Sequence, residues 1–523
     1  MKILKKTSRT RDKRHVNQSG ADLYQDLFAT LTRIKTDFGQ SDDLVVNCFQ
    51  WTVNPSSVCA TLYIKNLVNI DTINSLSEEI AVLKKGIGNK TGLPLNEIRT
   101  YFSAVRSLNE GHSFINLYNE LLSGNTVFLS NGCSNYISIP TECLQGRSVE
   151  EPSSQTVIRG PKEGFTEKIG RNILLVRKRI KSSKVRLENL SVGELTKTSV
   201  CLMYIKNIAK DSIVREIRER IGKIETDSVL EGAYIEEWIK DDRYSVFPVF
   251  LSSEKPDSVA AAILEGKVAI FTDGTPYVLT APAVMAEFLH ASEDFYHHFI
   301  ISSMMRFLRF IALFLTLLVP SAYIAVTTYH QEILPTPLLV SIAAQREGVP
   351  FSTFMEAFLM ESTFEVLRES GVRMPRAIGP AISIVGALVL GQAAVEAGII
   401  SAAMVIIVSI TAISSFAIPN YEMSNAIRTA RFIFMVLAGV MGLYGVFIGL
   451  MILTLHLCKL KSIGIPYLTP IAPWIKSANT DTLFRFPLWS MKNRPFGIHG
   501  ADKRRVGGKY ASRTEKKESP EFR

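Results

Sequence analysis

Four glutamates stand four or five residues apart in an otherwise apolar stretch: Glu356, Glu361, Glu365 and Glu369, within Pro350 to Ser370. Carboxylates are costly in hydrocarbon unless they meet a protein interior, water or a cation. These acids are therefore expected to face a bundle interior, a water path or Arg368. The segment reads as a helix with Ser352 or Thr353 as its cap and Gly371 as its stop. A second polar pair, Gln392 and Glu396, ends another apolar segment and continues the row Ile382, Val385, Val389 at alternating three- and four-residue steps, which is one helix face. Around a shared axis, branched apolar side chains make a dewetting constriction, and an amide with a carboxylate makes a cation-favouring mouth. The same residues would equally serve as bundle core, with Glu396 at the lipid interface.

The helix that carries this row has a different second face. Gly379, Ser383, Gly386, Ala393 and Ala397 form a stripe of small side chains, and Gly445 and Gly449 form a G-x-x-x-G match in a later apolar run. Small residues let membrane helices approach closely, so these are read as subunit-packing positions. Four apolar runs of membrane-spanning length follow residue 300: Phe307 to Tyr329 with Pro320 as an expected kink, Arg376 to Gly398, Ile399 to Pro419, and Phe432 to Leu457. Four full spans put both basic chain ends on the cytoplasmic side. They also leave Arg428 and Arg431 at the outer edge, against the charge rule.

Averaged over 523 residues, 47% hydrophobic and 21% charged look like a soluble protein. The average hides a chain split between two solvents, with charged and apolar stretches alternating up to about residue 300 and hydrocarbon-length runs beyond. Met1 to Arg14 holds seven Lys/Arg against one acid, and Lys459 to Arg523 holds fourteen against five. The N-terminal arm reads as solvated chain able to touch anionic lipid headgroups. It has no aromatic or motif support for nucleic-acid binding, and no apolar core follows its charges as a secretory signal peptide requires. Six scattered cysteines without a C-x-x-C pair read as reduced and structural.

Catalytic patterns are missing. Gly86 to Gly92 is G-x-G-x-x-x-G rather than a dinucleotide fingerprint, and there is no P-loop, H-E-x-x-H or nucleophile elbow. Asp294, His297 and His298 stand together just before the first apolar run. They read as a juxtamembrane helix in preference to a metal cluster, so neither an enzyme nor a cofactor is expected.

Before residue 300 the clearest signal is duplication. Tyr63-Ile64-Lys65-Asn66 returns as Tyr204-Ile205-Lys206-Asn207, at an offset of 141. Leu122-Ser123-Gly124 through Asn131-Gly132 returns as Leu264-Glu265-Gly266 through Asp273-Gly274, at an offset of 142. Each copy reads as a β-rich run, a helix (Asp71 to Lys85; Asp211 to Ile221), and a hairpin whose Asn-Gly or Asp-Gly turn supplies positive φ. The fold expected is an α/β cytoplasmic head of two duplicated subdomains plus a C-terminal α-helical multi-pass membrane domain. Residues 1–20 form a disordered basic arm, 21–145 and 186–298 the subdomains, 146–185 a linker with the basic amphipathic helix Arg171 to Ile180, 299–458 the membrane domain, and 459–523 a basic cytoplasmic tail.

The linker carries a resemblance. Arg159-Gly160-Pro161-Lys162-Glu163-Gly164-Phe165, followed by Asn172 and a Leu-Val-Arg-Lys-Arg-Ile run, resembles the interdomain signature of the A subunits of GerA-family spore germinant receptors. Pro335 to Phe351, Glu361 to Ala397 and Ile418 to Phe432 look like the same family, and the likeness covers about residues 20 to 490. It implies a homo-oligomer in the spore inner membrane with its N-terminal head cytoplasmic, acting with a transporter-like B subunit and a lipoprotein C subunit. It further implies a nutrient-gated channel for monovalent cations. A non-conducting scaffold within the receptor complex is the alternative.

Overall fold

The computed structural model describes residues 22–51, 57–87, 94–103, 107–143, 152, 155, 157–373, 391–475, 479, 481–495 and 497–505. Ile382, Val385, Val389, Gly379, Ser383 and Gly386 lie outside the described residues, as do the basic arm and the last part of the tail. The chain divides into two compact units, residues 1–148 with 173–188, and residues 149–172 with 189–523.

In the first unit, α1 (Leu27–Phe38) precedes β1 (Leu44–Gln50) and β2 (Val58–Ile64). Then come α2 (Ile70–Ile87), α3 (Pro94–Ser103), β3 (Asn109–Gly111), α4 (Phe114–Leu122), β4 (Asn125–Ser130) and β5 (Tyr136–Pro140). The sheet order is β1-β2-β4-β5-β3, with antiparallel pairing. Alternation along the strands builds two cores. Ala60, Leu62, Ile64, Val127 and Leu129 meet α1 and α4 on one face, while Cys59, Phe128 and Ile137 meet α2 and α3 on the other. The β4–β5 turn uses Gly132 at φ 80°, a conformation that an L side chain adopts only with strain. The helix α5 (Ile169–Arg179) ends in this unit, where the fully buried Arg177 donates from Nε and Nη2 to Asp43 Oδ2 at 3.0 and 2.8 Å.

The second unit repeats the plan: β6 (Val185–Val192), β7 (Thr198–Ile205), α6 (Asp211–Gly222), α7 (Gly232–Ile239), β8 (Leu251–Ser253), α8 (Pro256–Glu265), β9 (Val268–Thr272) and β10 (Val278–Ala281). Its sheet order, β6-β7-β9-β10-β8, is the first one again. Strand, strand, helix, helix, edge strand, helix, hairpin is thus the duplicated unit, and Gly274 at φ 90° turns the second hairpin as Gly132 turns the first.

Two 3-10 turns, Met285–Leu289 and Ser292–Phe295, lead into the helical part: α9 (Phe299–Thr328), α10 (Thr336–Arg346), α11 (Thr353–Arg373), α12 (Ala402–Phe416) and α13 (Tyr421–Lys459). Two of the described helices, α9 and α13, are long and apolar enough to cross a membrane. At 1.5 Å per residue, the 30 residues of α9 reach about 45 Å, and the helix runs through Pro320 without ending. Ser352, the expected cap, accepts the Met355 N–H at its Oγ, 3.3 Å away. The helix then passes Gly371 and continues to Arg373, so Gly371 is not its stop. The long α13 is interrupted at Gly442, whose φ of 62° and ψ of −141° are non-helical.

The segment after α13 does not run free. Tyr467 accepts the Met285 N–H at its carbonyl, 2.9 Å away, and the Gly500 N–H donates to Ile208 O at 2.6 Å. His499 pairs with Ala209 in an isolated bridge. In the first copy the equivalent bridge is Val68 with Glu142, supplied by that copy's own chain beyond its hairpin. The tail therefore completes in the second copy an edge that the first copy completes for itself.

Candidate functional site

The acids of α11 find their cations on α13. Arg431, 1% exposed, places Nη2 2.9 Å from Glu361 Oε2 and 3.0 Å from Glu365 Oε1. Arg428 closes on the second Glu365 oxygen. Glu361 and Glu365 lie one turn apart on α11, and Arg428 and Arg431 one turn apart on α13, so two helices present matching pairs across one contact. Arg368 points the other way, donating to Ser415 Oγ at 3.2 Å with its guanidinium over the Phe416 ring. Glu361, Glu365, Arg428 and Arg431 make an ion network among apolar helices, with Glu361 and Arg431 buried at its centre and Glu365 and Arg428 partly exposed, where each buried charge depends on its partner. The sequence flagged Glu361 and Glu365 but read both arginines as loop charges at a membrane edge. Their signal was their own spacing, one turn apart like the acids.

Glu356 is used differently. Its Oε1 accepts from Ser401 N at 2.6 Å and Ser401 Oγ at 2.5 Å, and Arg346 Nε lies 3.8 Å from Oε2. Ser401 caps α12, its Oγ accepting from Met404 N at 3.3 Å. A carboxylate at a helix N-terminus meets unsatisfied N–H groups and the positive end of the dipole. Glu356 thereby ties α11 to the start of α12. Just before that start, residues 391–396 are helical, and Gly398 at φ 66° ends the turn with Ile399 N donating back to Ala394 O. Gln392, Ala393, Glu396 and Ala397 are all exposed there, and Gln392 Nε2 donates to Glu396 Oε1 at 2.9 Å.

Gly445 and Gly449 are buried in this chain. A Cβ at 445 would fall 2.1 Å from Leu437 O, and one at 449 would fall 3.0 Å from Leu437 Cδ1. The close approach they allow is to the preceding part of α13, across the break at Gly442. That break frees carbonyls, and Tyr329 Oη at the end of α9 donates to Gly439 O at 2.9 Å and Val440 O at 3.1 Å.

At the entry to α9 a second ion cluster joins three segments. Arg306, fully buried, donates from Nε to Asp294 Oδ2 at 2.9 Å and from Nη1 to Asp481 Oδ1 at 2.5 Å. Arg309 Nη1 reaches both Asp294 oxygens, at 2.8 and 2.9 Å. Burial alone would push the Asp294 carboxyl up, but hydrogen bonds and charge from Arg309 and Arg306 outweigh it and hold it below the ordinary carboxylate range. A depressed carboxyl stabilises the fold above its unfolded pKa, and that contribution is lost as pH falls through the folded value. The clasp should thus be intact at neutral pH and open only in acid. Thermal unfolding of the wild type and Asp294→Asn should converge at low pH, and an equal gap at every pH would contradict this. His297 and His298 take no part in holding Asp294: Arg485 Nη1 donates to His297 O at 2.9 Å, and His298 Nδ1 accepts from Ile300 N at 3.4 Å. Among the described residues no three His, Cys, Asp or Glu stand close enough to share a metal ion.

The linker signature packs onto the second unit's own core. Phe165, 7% exposed, meets Phe271 edge-on at 6.0 Å, and its N–H donates to Glu254 O at 2.8 Å. Gly160, at φ 135°, lies against the Tyr296 ring, where a Cβ would come within 2.7 Å. Gly164 is buried beside Phe165, Pro161 is half-buried, and Arg159 and Glu163 are exposed. Nearby, a cavity of about 460 Å3 opens between α8, the 3-10 turns and the tail. Its charged walls pair with each other, Lys267 with Glu287 at 2.5 Å and Arg505 with Glu265 at 3.3 Å.

Residues 32–496 match the family described as Bacillus/Clostridium GerA spore germination protein. The chain belongs to the GerA family. Spore germination protein KA of Bacillus subtilis (strain 168) is 41% identical to this GerA-family chain over 481 residues, 92% of this chain and 88% of that one. Spore germination protein GerLA of Bacillus cereus is 35% identical over 474 residues, 91% of this chain and 96% of that one. The Bacillus subtilis membrane protein YfkQ is 46% identical over 398 residues, 76% of this chain and 77% of that one. Among solved structures, the N-terminal domain of the A subunit of the Bacillus megaterium spore germinant receptor GerK3 is 34% identical, covering 51% of this chain and 98% of that one, with a TM-score of 0.41.

Proposed function

We propose that this GerA-family chain is a germinant-receptor subunit that assembles with copies of itself in the spore inner membrane and forms a gated path for monovalent cations. Its partners in the receptor are a transporter-like B subunit that senses the nutrient and a lipoprotein C subunit. The head faces the cytoplasm. Ile382, Val385 and Val389 line the constriction and Gln392 and Glu396 its mouth, while Gly379, Ser383, Gly386, Ala393 and Ala397 pack against the neighbouring copy.

The supporting observation is the exposed Gln392–Glu396 pair on the last turn before Gly398. In the same helical domain Glu356, Glu361 and Glu365 are each paired inside the chain, whereas this carboxylate is turned outward. An acid presented to lipid would be costly, and a shared polar axis removes that cost. Gating then needs two arrangements of the bundle separated by a few kcal/mol and a partner that favours one. The Glu356–Ser401 contact, next to the mouth, sets where this turn sits relative to α11.

Val385→Ala or Val389→Ala should widen and wet the constriction. Spores carrying either change are expected to leak monovalent cations and germinate without nutrient, as measured by ion release and loss of heat resistance. Unchanged permeability with normal receptor levels would instead favour the non-conducting scaffold.

A further inference from the structure

Along α9, Ile300, Met304, Phe307, Ile311 and Phe314 recur at steps of three and four residues, and all five are exposed. On a spanning helix such a stripe faces lipid, from headgroups at its head end to acyl chains beyond. The tail extends this stripe sideways. Asp481 and Arg485 bridge to close a tight turn, and Phe484 inside it stacks on Phe307 with ring centroids 6.2 Å apart and planes 13° from parallel. Trp489 meets Phe299 edge-on at 6.1 Å. Phe484, Phe486, Leu488 and Trp489 stay open to the surroundings, Trp489 by 65%.

Depth follows from the other side of the same helical turn. Arg306, next to Phe307 in sequence, is buried between Asp294 and Asp481, and the Arg485 guanidinium lies over Phe295 at 5.2 Å. Unlike the acids of the α11–α13 network, those that neutralise Arg306 and Arg309 come from the last turn of the head and from the tail, so α9 crosses the headgroup layer on the head side over Phe299 to Phe307 and enters hydrocarbon beyond Arg309. Exposed aromatic rings along this stretch, Phe484 beside Phe307 and the Trp489 indole beside Phe299, match the composition of an interfacial belt.

We propose that residues 481–489 form an interfacial anchor, with Phe484 and Trp489 seated in the interfacial layer of the leaflet next to the head, Phe484 the deeper of the two. The partner of this surface is the lipid bilayer itself, because the patch is continuous with the outward stripe of α9. The proposal rests on α9 being a membrane span. Asp481 and Arg485 hold the anchor to Arg306 and His297, so it moves with the first turns of α9.

The test uses the full chain in vesicles and compares its tryptophan emission with that of Trp489→Phe, an exposed and conservative change. The emission lost in the variant belongs to Trp489. In vesicles of lipids brominated high in their acyl chains this component should be quenched, while acrylamide in the water should leave it largely unaffected. The buried Trp51 and the head-borne Trp238 should show no response to bromine. Quenching by acrylamide alone means that the ring is in water and overturns the anchor. Protection from both quenchers means that protein covers it, which overturns the anchor as well. A chain that fails to float with the vesicles overturns the membrane reading too, whereas one that floats with Trp489 unquenched by bromine overturns the anchor alone.

Discussion

Arg431→Met should cost the helical domain about 3–5 kcal/mol, because it leaves Glu361, 1% exposed, as an uncompensated buried carboxylate with Glu365 half-neutralised beside it. Replacing Glu361 by Leu alone should cost less, because Arg431 keeps its 3.0 Å contact with Glu365 Oε1. The double substitution Arg431→Met, Glu361→Leu should recover most of the loss, because a well-packed apolar pair of similar volume replaces a buried ion pair at little net cost. Thermal unfolding of the detergent-solubilised chain measures all three. If the double variant is as unstable as the sum of the singles, the two groups do not act as a pair.

Gly445→Ala should be the most damaging of the small substitutions in α13. The new methyl would fall 2.1 Å from Leu437 O and 2.7 Å from Leu437 C, both backbone atoms that cannot rotate away. In an ordinary helix, alanine in place of glycine gains about 1 kcal/mol. Here overpacking should reverse the sign and cost about 3 kcal/mol or more. Gly222→Ala in α6, where nothing lies within 4 Å of the added carbon, is the matched control and should be neutral or mildly stabilising. Equal behaviour of the two variants in yield and unfolding temperature would mean that the break at Gly442 does not fold α13 as described.

Much of the head could be read from the sequence because its signals are local. Asn131-Gly132 and Asp273-Gly274 mark hairpins since positive φ is needed there, and the repeat of Tyr-Ile-Lys-Asn places equivalent strands in equivalent sheets. Edge strands β3 and β8 were missed: at three residues each they are too short to show a period. The membrane acids were legible as a problem, since lipid penalises them, but not as a solution. Their cations lie more than sixty positions away, and the charge rule counted Arg428 and Arg431 as loop residues when they are internal counter-ions. The packing of the tail had no signal of its own: Gly500 and Asp502 donate to Ile208 and Asn207, finishing an edge that the second copy leaves open when it turns into α9. The first copy closes the same edge with its own chain, at Glu142.

Conductance of the assembled oligomer in planar bilayers tests the proposed channel most directly. Cation-selective currents that grow with Val385→Ala or Val389→Ala, and that lose selectivity with Glu396→Gln, are the predicted result. A verified oligomer that leaves the bilayer silent, or currents indifferent to all three substitutions, would contradict it.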